Sequence, residues 1–326
     1  MVKKFTLCLL LSGAAALCSL CLGAARLMPS ELWQAVVSGP AHTAGYIFWY
    51  VRLPRTAGCL LAGAAMAVSG AVIQGVLHNR LASPSIIGVN AGAGLAVTVC
   101  CALGAISGWV IAGAAFCGAM VTVTVIVLVA QKAGASRTTV ILGGVAVNAT
   151  LNSICEGITT LVPDIAMMTA DFRTGGFGSV SYLRLIPAAF GIFLALALLF
   201  ALHNELDVLT LGDETAHSLG LRVNRMRPLL LGLAAMLSGC AVSFAGLLGF
   251  VGLIVPHAVR KMVGSESRFL LPMCAIAGAG FVTFCDLAAR LLFAPYELPV
   301  GILLSMLGGP FFLFLLLKQK GGRQYA

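Results

Sequence analysis

The chain has 326 residues, 60% of them apolar and 10% charged, with a formal net charge of +9, and its mean hydropathy is +1.03. Those values exclude a soluble globular enzyme, whose apolar content stays near about half. About ten stretches are long and apolar enough to enter a bilayer, and at about 20 residues each they leave short loops and no room for a soluble domain. The sequence reads as an all-α integral membrane protein, one transmembrane unit over residues 1–326.

The predicted spans lie near 5–25, 56–77, 84–105, 109–131, 138–161, 185–203, 228–246, 247–263, 269–292 and 299–317. The first follows Lys3-Lys4, a pattern shared with signal peptides. Its apolar part is long and no clean small-x-small cleavage site follows, so it is expected to stay as the first helix. Glycines punctuate the second span (Gly58, Gly63, Gly70, Gly75) and the third (Gly88, Gly92, Gly94), a spacing that permits close helix packing in lipid. In the fifth, Asn148, Asn152 and Glu156 stand at i, i+4 and i+8 and so share one face. That stripe serves either hydrogen bonds between helices or a path through the membrane, because ionisable groups at depth face a cavity or a partner.

The largest polar loop, about 204–226, follows the sixth span. Thr210, or Gly212 with Asp213 and Glu214 in a first turn, can open a short helix there, and Gly220 can close it. Leu211, Ala216 and Leu219 give that helix a patchy apolar face, suited either to covering the loop or to a groove on a partner protein. The seventh span carries an echo of the second: Leu60-Leu61, Met66 and Ser69-Gly70 against Leu230-Leu231, Met236 and Ser238-Gly239. Each is followed by a broken stretch containing glycine and proline, Leu81 to Gly94 and Leu247 to His257, as in transporters with inverted repeats.

An even number of spans puts both termini on one side, and the positive-inside rule names that side. Lys3, Lys4, Arg80, Lys132, Arg137, Arg222, Arg225, Arg227, Arg260, Lys261, Arg268, Lys318, Lys320 and Arg323 fall on one face. Arg26, Arg52, Arg55, Arg173, Arg184 and Arg290 fall on the other, so both termini are expected in the cytoplasm. No basic stripe with interleaved aromatics points to nucleic acid. The outward Arg52, Arg55 and Arg290 break the charge rule. Either they snorkel, with Arg290 paired at i,i+4 to Asp286, or they form a basic patch that docks an acidic partner.

The 11 cysteines fall in or beside apolar spans, where cysteine packs as a small hydrophobe, and no C-x-x-C stands beside histidines to suggest a metal. No G-x-x-x-x-G-K-[ST] occurs, so the chain is not expected to hydrolyse ATP itself. An ion-coupled secondary transporter would need a carboxylate at depth, for which Asp286 and Glu156 are the candidates. An intramembrane enzyme would need a nucleophile and base together, and His257 beside Pro256 has no such companion.

The block Val51-Arg52-Leu53-Pro54-Arg55, then Gly63-Ala64-Ala65, Ser69-Gly70, Gln74, Asn79 and Leu81-Ala82-Ser83-Pro84, resembles the permease family of type II ABC importers. That family carries iron-siderophores, haem and cobalamin. Gly249-Phe250-Val251-Gly252-Leu253-Ile254-Val255-Pro256-His257 with Arg260 is similar to its strongest signature. Gly175-Gly176-Phe177-Gly178-Ser179, Glu297-Leu298-Pro299-Val300-Gly301 and Gly309-Pro310-Phe311-Phe312 also match, so the likeness covers about residues 50–317. It departs where the usual Asn-Pro-Leu-Ala is Asn79-Arg80-Leu81-Ala82, and where flanking tryptophans are Phe172 and Tyr182.

The resemblance implies ten helices with cytoplasmic termini in a bacterial or archaeal cytoplasmic membrane. It implies a second permease subunit, two ATPase subunits that hold ATP and magnesium, and an extracytoplasmic substrate-binding protein, with no cofactor or metal on this chain. By the same resemblance, Leu211, Gly212, Asp213, Glu214, Ala216, Leu219 and Gly220 couple to the ATPase. Arg52, Arg55 and Arg290 meet the binding protein, and Leu81 with Ser136, Arg137 and Thr138 forms a gate.

Overall fold

The computed structural model describes residues 2–23, 28–132, 137–292, 294 and 296–321, and among them the regular structure is helical throughout. In chain order the helices are α1 (Val2–Cys21), α2 (Pro29–Ser38), α3 (Thr43–Tyr46), α4 (Leu53–Val76), α5 (Val89–Ala102), α6 (Gly108–Lys132), α7 (Arg137–Leu161) and α8 (Ile165–Thr174). They continue with α9 (Tyr182–Ala201), α10 (His203–Leu209), α11 (Asp213–Ser218), α12 (Val223–Ala245), α13 (Val251–Val263), α14 (Ser267–Leu292) and α15 (Val300–Gly321).

Seven helical segments among the described residues are long and apolar enough to cross a bilayer: Val2–Cys21, Thr43–Val76, Gly108–Val129, Thr139–Leu161, Tyr182–Ala201, Val223–Ala245 and Ser267–Leu292. Of the other three predicted spans, two contain shorter apolar helices, α5 and Val300–Leu313 within α15, and the third contains the 13-residue α13, which carries Arg260 and Lys261. Fourteen residues of α5 rise about 21 Å, less than the hydrocarbon thickness of about 30 Å. The segment between the first two predicted spans is helical rather than a plain loop. A wide π turn over Ile47–Arg52 joins α3 to α4, so that Thr43–Val76 forms a 34-residue helical segment.

The polarity of α1 is inverted relative to a soluble helix. Leu7, Leu9, Leu10, Leu11 and Leu17 face outward, whereas its buried residues are Ser12 and Ser19. The Ser12 hydroxyl donates to the Ile276 carbonyl at 2.8 Å, and Ser19 shares a 2.9 Å hydrogen bond with Thr56. In lipid the apolar surface has no reason to turn inward, and hydroxyls find partners between helices instead.

At the centre lies α4, most of it buried, packed against α12, α13 and α14. Small residues permit this. A side chain at Gly63 would strike the backbone carbonyl of Gly278, and one at Gly278 would strike that of Gly63. Gly70 meets the Gly252 backbone in the same way, and Gly92 of α5 meets Gly118 of α6. These are the close approaches expected from the glycine spacing of the second and third spans.

The two broken stretches also correspond. After α4, the turn-rich segment from Leu81 leads to Gly88 at φ +87° and then α5. After α12, an irregular segment leads to Phe250 at φ +62° and then α13. A bulky residue in the left-handed region is an outlier. Here the ring lies against Gly308, where an added methyl group would collide with it. Gly278→Val is expected to cost about 3 kcal/mol by overpacking the α4–α14 contact. Thermal unfolding of the purified protein checks this, with Gly113→Val, where nothing lies within 4 Å of an added Cβ, as the tolerated comparison.

Candidate functional site

The two ends of the bundle differ chemically. One carries the start of α1 and the ends of α4 and α13, with Lys4, Arg80 and Arg260; it is called the basic end below. Lys4 donates to the Met262 carbonyl, and Arg260 donates to Gln74, whose amide in turn donates to the Gly252 carbonyl at 3.0 Å.

The far end is organised by Asp286, which is fully buried on α14. The Arg55 guanidinium clasps it through Nε at 3.1 Å to Oδ2 and Nη2 at 3.0 Å to Oδ1, and Nη1 reaches Glu297 at 2.6 Å. Arg290 Nε lies 3.0 Å from the second Asp286 oxygen, the expected i,i+4 pair, and its Nη2 donates to Ser19 at 2.8 Å. Arg52 Nη1 donates to the Leu20 and Cys21 carbonyls at 2.7 and 2.6 Å. Those carbonyls belong to the last turn of α1, which has no intrahelical donors left, so a cation is favoured there.

An open basic patch at this end is not what the structure holds. Arg52, Arg55 and Arg290 are 3%, 8% and 3% exposed and are engaged inside the chain. The physical reason is cost: guanidiniums at membrane depth need counter-charge, and Asp286, Glu297 and the α1 terminus supply it. Among the described residues, Glu297, with a side chain 40% exposed, carries the network to the surface. It lines a cleft of about 240 Å³ with Asp171, Phe177 and Ser179, and Arg55 also lines it. Asp286 was visible in the sequence as a partner of Arg290. The role of Glu297 was not, because it stands in a turn remote in sequence from Arg55.

At the basic end, the loop between α9 and α12 forms a two-helix bracket. Leu206 and Leu209 of α10 are buried, and both oxygens of Asp207 accept the Ser267 backbone N–H at 3.0 and 3.1 Å, which caps α14. Gly212 at φ +108° opens α11, and Asp213 in its first turn accepts from Arg227 at 2.6 Å. Gly220 at φ +84° ends it, with the Leu221 N–H returning to the Ala216 carbonyl at 3.0 Å. These limits are those expected from Gly212 and Gly220. The apolar face divides differently: Ala216 is fully buried, whereas Leu211 and Leu219 are 60% and 62% exposed, and Glu214 is exposed beside them.

The polar stripe of α7 also divides. Asn148 donates to the Ser85 and Ile86 carbonyls at 2.8 and 3.1 Å, tying α7 to the broken stretch before α5. Asn148 and Asn152 line a cavity of about 270 Å³ together with Asn90, Thr98 and Arg173. Glu156 is exposed and does not line it. Of the expected gate, Leu81 sits in a turn closed by its N–H on the Asn79 side chain at 2.9 Å. Ser136 lies outside the described residues; Arg137 and Thr138 begin α7.

Comparison with known proteins places this architecture. The model of the FecCD transport family matches residues 9–318. The iron(3+)-hydroxamate import system permease protein of Bacillus subtilis is 37% identical over 97% of this chain and 83% of its own length. The hemin transport system permease protein of Yersinia pestis is 34% identical over 93% and 91%. The vitamin B12 import system permease protein of Escherichia coli is 35% identical over 97% and 95%. A solved structure described as an inward-facing conformation of a metal-chelate type ABC transporter superposes with a TM-score of 0.86 at 27% identity, covering 98% of this chain and 100% of that one.

Asp286→Asn leaves two buried guanidiniums without their shared anion and is expected to cost about 3–5 kcal/mol. Glu297→Gln, at the exposed rim, is expected to cost below about 1 kcal/mol. Denaturation midpoints of the two variants side by side test that order.

Proposed function

The chain belongs to the FecCD transport family, and from that premise we propose that it is the permease subunit of an ATP-driven importer for a metal chelate. The whole chain serves as one transmembrane permease domain that crosses the membrane ten times, with α5, α13 and α15 adding three crossings to the seven long ones. The basic end faces the cytoplasm, in keeping with the positive-inside rule, and the membrane is the cytoplasmic membrane of a bacterium or archaeon. The subunit itself is non-catalytic and holds no metal or cofactor. Two partner ATPases bind ATP and magnesium, and a second permease, a copy or a related chain, completes the path. An iron-siderophore is the favoured cargo, with haem and cobalamin as alternatives suggested by the relatives' names.

The observation that carries this reading beyond family membership is the α10–α11 bracket. A loop that only covered its own bundle would turn its leucines inward. This one anchors itself by Asp207 on α14 and Asp213 on Arg227, then offers Leu211 and Leu219 to the outside. A rigid apolar knob of that kind suits a groove on a partner protein. ATP binding by the partners draws the two brackets of the permease pair together, and the packing of the path shifts with them because the two states bind the ATPase differently. Asp213, Glu214, Ala216 and the glycines at 212 and 220 set the bracket's shape.

The binding protein docks at the far end, around the Glu297 cleft. Arg55 meets it there by exchanging Glu297 for a partner carboxylate, while Arg52 and Arg290 hold the platform beneath. Leu81 with Ser136, Arg137 and Thr138 closes the path on the cytoplasmic side, and Asn148, Asn152 and Glu156 line its course. Ion coupling through Asp286 is disfavoured, because that carboxylate is clasped by two arginines.

Affinity purification from native membranes is expected to bring down a P-loop ATPase in stoichiometric amount. The double change Leu211→Asp and Leu219→Asp is expected to lower its recovery about tenfold or more, since apolar anchors dominate such contacts. Absence of any ATPase, under conditions where another ABC complex survives, would overturn the assignment.

A further inference from the structure

A third cavity, of about 290 Å³, opens at the basic end between the end of α4, α10 and the start of α14. Two guanidiniums line it, Arg80 and Arg260, together with His78 and the serines at 265 and 267. No carboxylate is among its lining residues. Arg260 donates to neutral acceptors only, the Gln74 side chain and the Ala71 carbonyl. Arg80 has no hydrogen bond or ion pair among the described residues. Asp207, on the adjacent α10, has both oxygens turned to the Ser267 N–H. His78 donates through Nε2 to the Leu209 carbonyl at 2.6 Å and adds no negative charge.

The contrast with the far end is informative. There, each of the three arginines is matched to a carboxylate or to the end of a helix. Here, two cations share one cavity with no carboxylate in its lining, while Asp207 on the adjacent α10 is committed to capping the start of α14. Arg260 is half-buried and Arg80 exposed, and like charges that share a cavity repel each other until an anion joins them. Arginine forks and hydroxyls approaching from several sides suit a tetrahedral oxyanion, whose oxygens accept several such donors at once. The volume also leaves room for a substituent on that anion.

We infer that the Arg80–Arg260 cavity binds a phosphate group, either the headgroup phosphate of an anionic lipid or a soluble phosphate. Basic pockets between membrane helices hold lipid headgroups in this way, and the site requires nothing of the transported cargo.

The test uses the full-length protein in nanodiscs. Thermal unfolding is compared in phosphatidylcholine alone, in phosphatidylcholine with phosphatidylglycerol, and in phosphatidylcholine with millimolar inorganic phosphate. The wild-type midpoint is expected to rise by about 3 °C or more with an anionic source, as a ligand that binds only the folded state requires. Arg80→Gln, which removes an exposed and unpaired side chain, is expected to lose at least half of that rise, and Arg260→Gln more. Lys261→Gln, an exposed cation that does not line the cavity, is expected to retain it. A rise with phosphatidylglycerol alone assigns the site to lipid, and a rise with inorganic phosphate assigns it to a soluble anion. Equal rises in wild type and both arginine variants would overturn the inference. So would no rise from either source; a loss of ATPase recovery in Arg80→Gln would then assign these arginines to a protein contact.

Discussion

Backbone-to-backbone contact around α4 is the constraint on which the rest of this molecule depends. Lipid tails are as apolar as leucine, so burying hydrocarbon gives helices little reason to associate, and close packing must supply the attraction instead. The glycine pairs at 63 and 278, and at 70 and 252, let α13 and α14 approach α4 until carbonyl oxygens occupy the space where a methyl group would stand. Once that approach is fixed, Gln74 reaches the Gly252 carbonyl and Arg260, and Arg55 reaches Asp286. The polar contacts at both ends of α4 are therefore consequences of how closely its middle is packed.

Much of this was legible in the chain because the bilayer simplifies the rules. Long apolar runs had to be helices, and the glycines of the second span announced close packing before any partner was known. Gly212 and Gly220 delimited the short helix between them because each stands at a backbone conformation that other residues resist. The arginines at 52, 55 and 290 stood out in the sequence as expected exceptions to the charge rule. Their burial was not legible, since it depends on Glu297 and the end of α1 coming together from distant parts of the chain. The helical stretch 29–52 was missed for a related reason: its pattern is neither a full apolar run nor a turn cluster.

The two ends express different chemistry with the same side chain. At the far end arginine is a fastener, matched to carboxylates and to terminal carbonyls. At the basic end Arg227 braces the bracket through Asp213, while Arg80 and Arg260 stand in a cavity with no acidic partner in its lining. The distinction follows from counter-charge rather than from burial alone. A family signature marks where an arginine occurs, and only the packing decides whether it is used up within the fold.

The inverted polarity of α1 has a further consequence. Its leucines face away from the bundle, and it is tied to it at Ser12, Ser19, Lys4 and, through its last carbonyls, Arg52. Each tie is a hydrogen bond for which water competes on nearly equal terms and hydrocarbon does not compete at all. The strength of these ties on α1 is therefore set by the dryness of its surroundings. In an intact bilayer those ties keep their full strength, and wherever water seeps in they weaken.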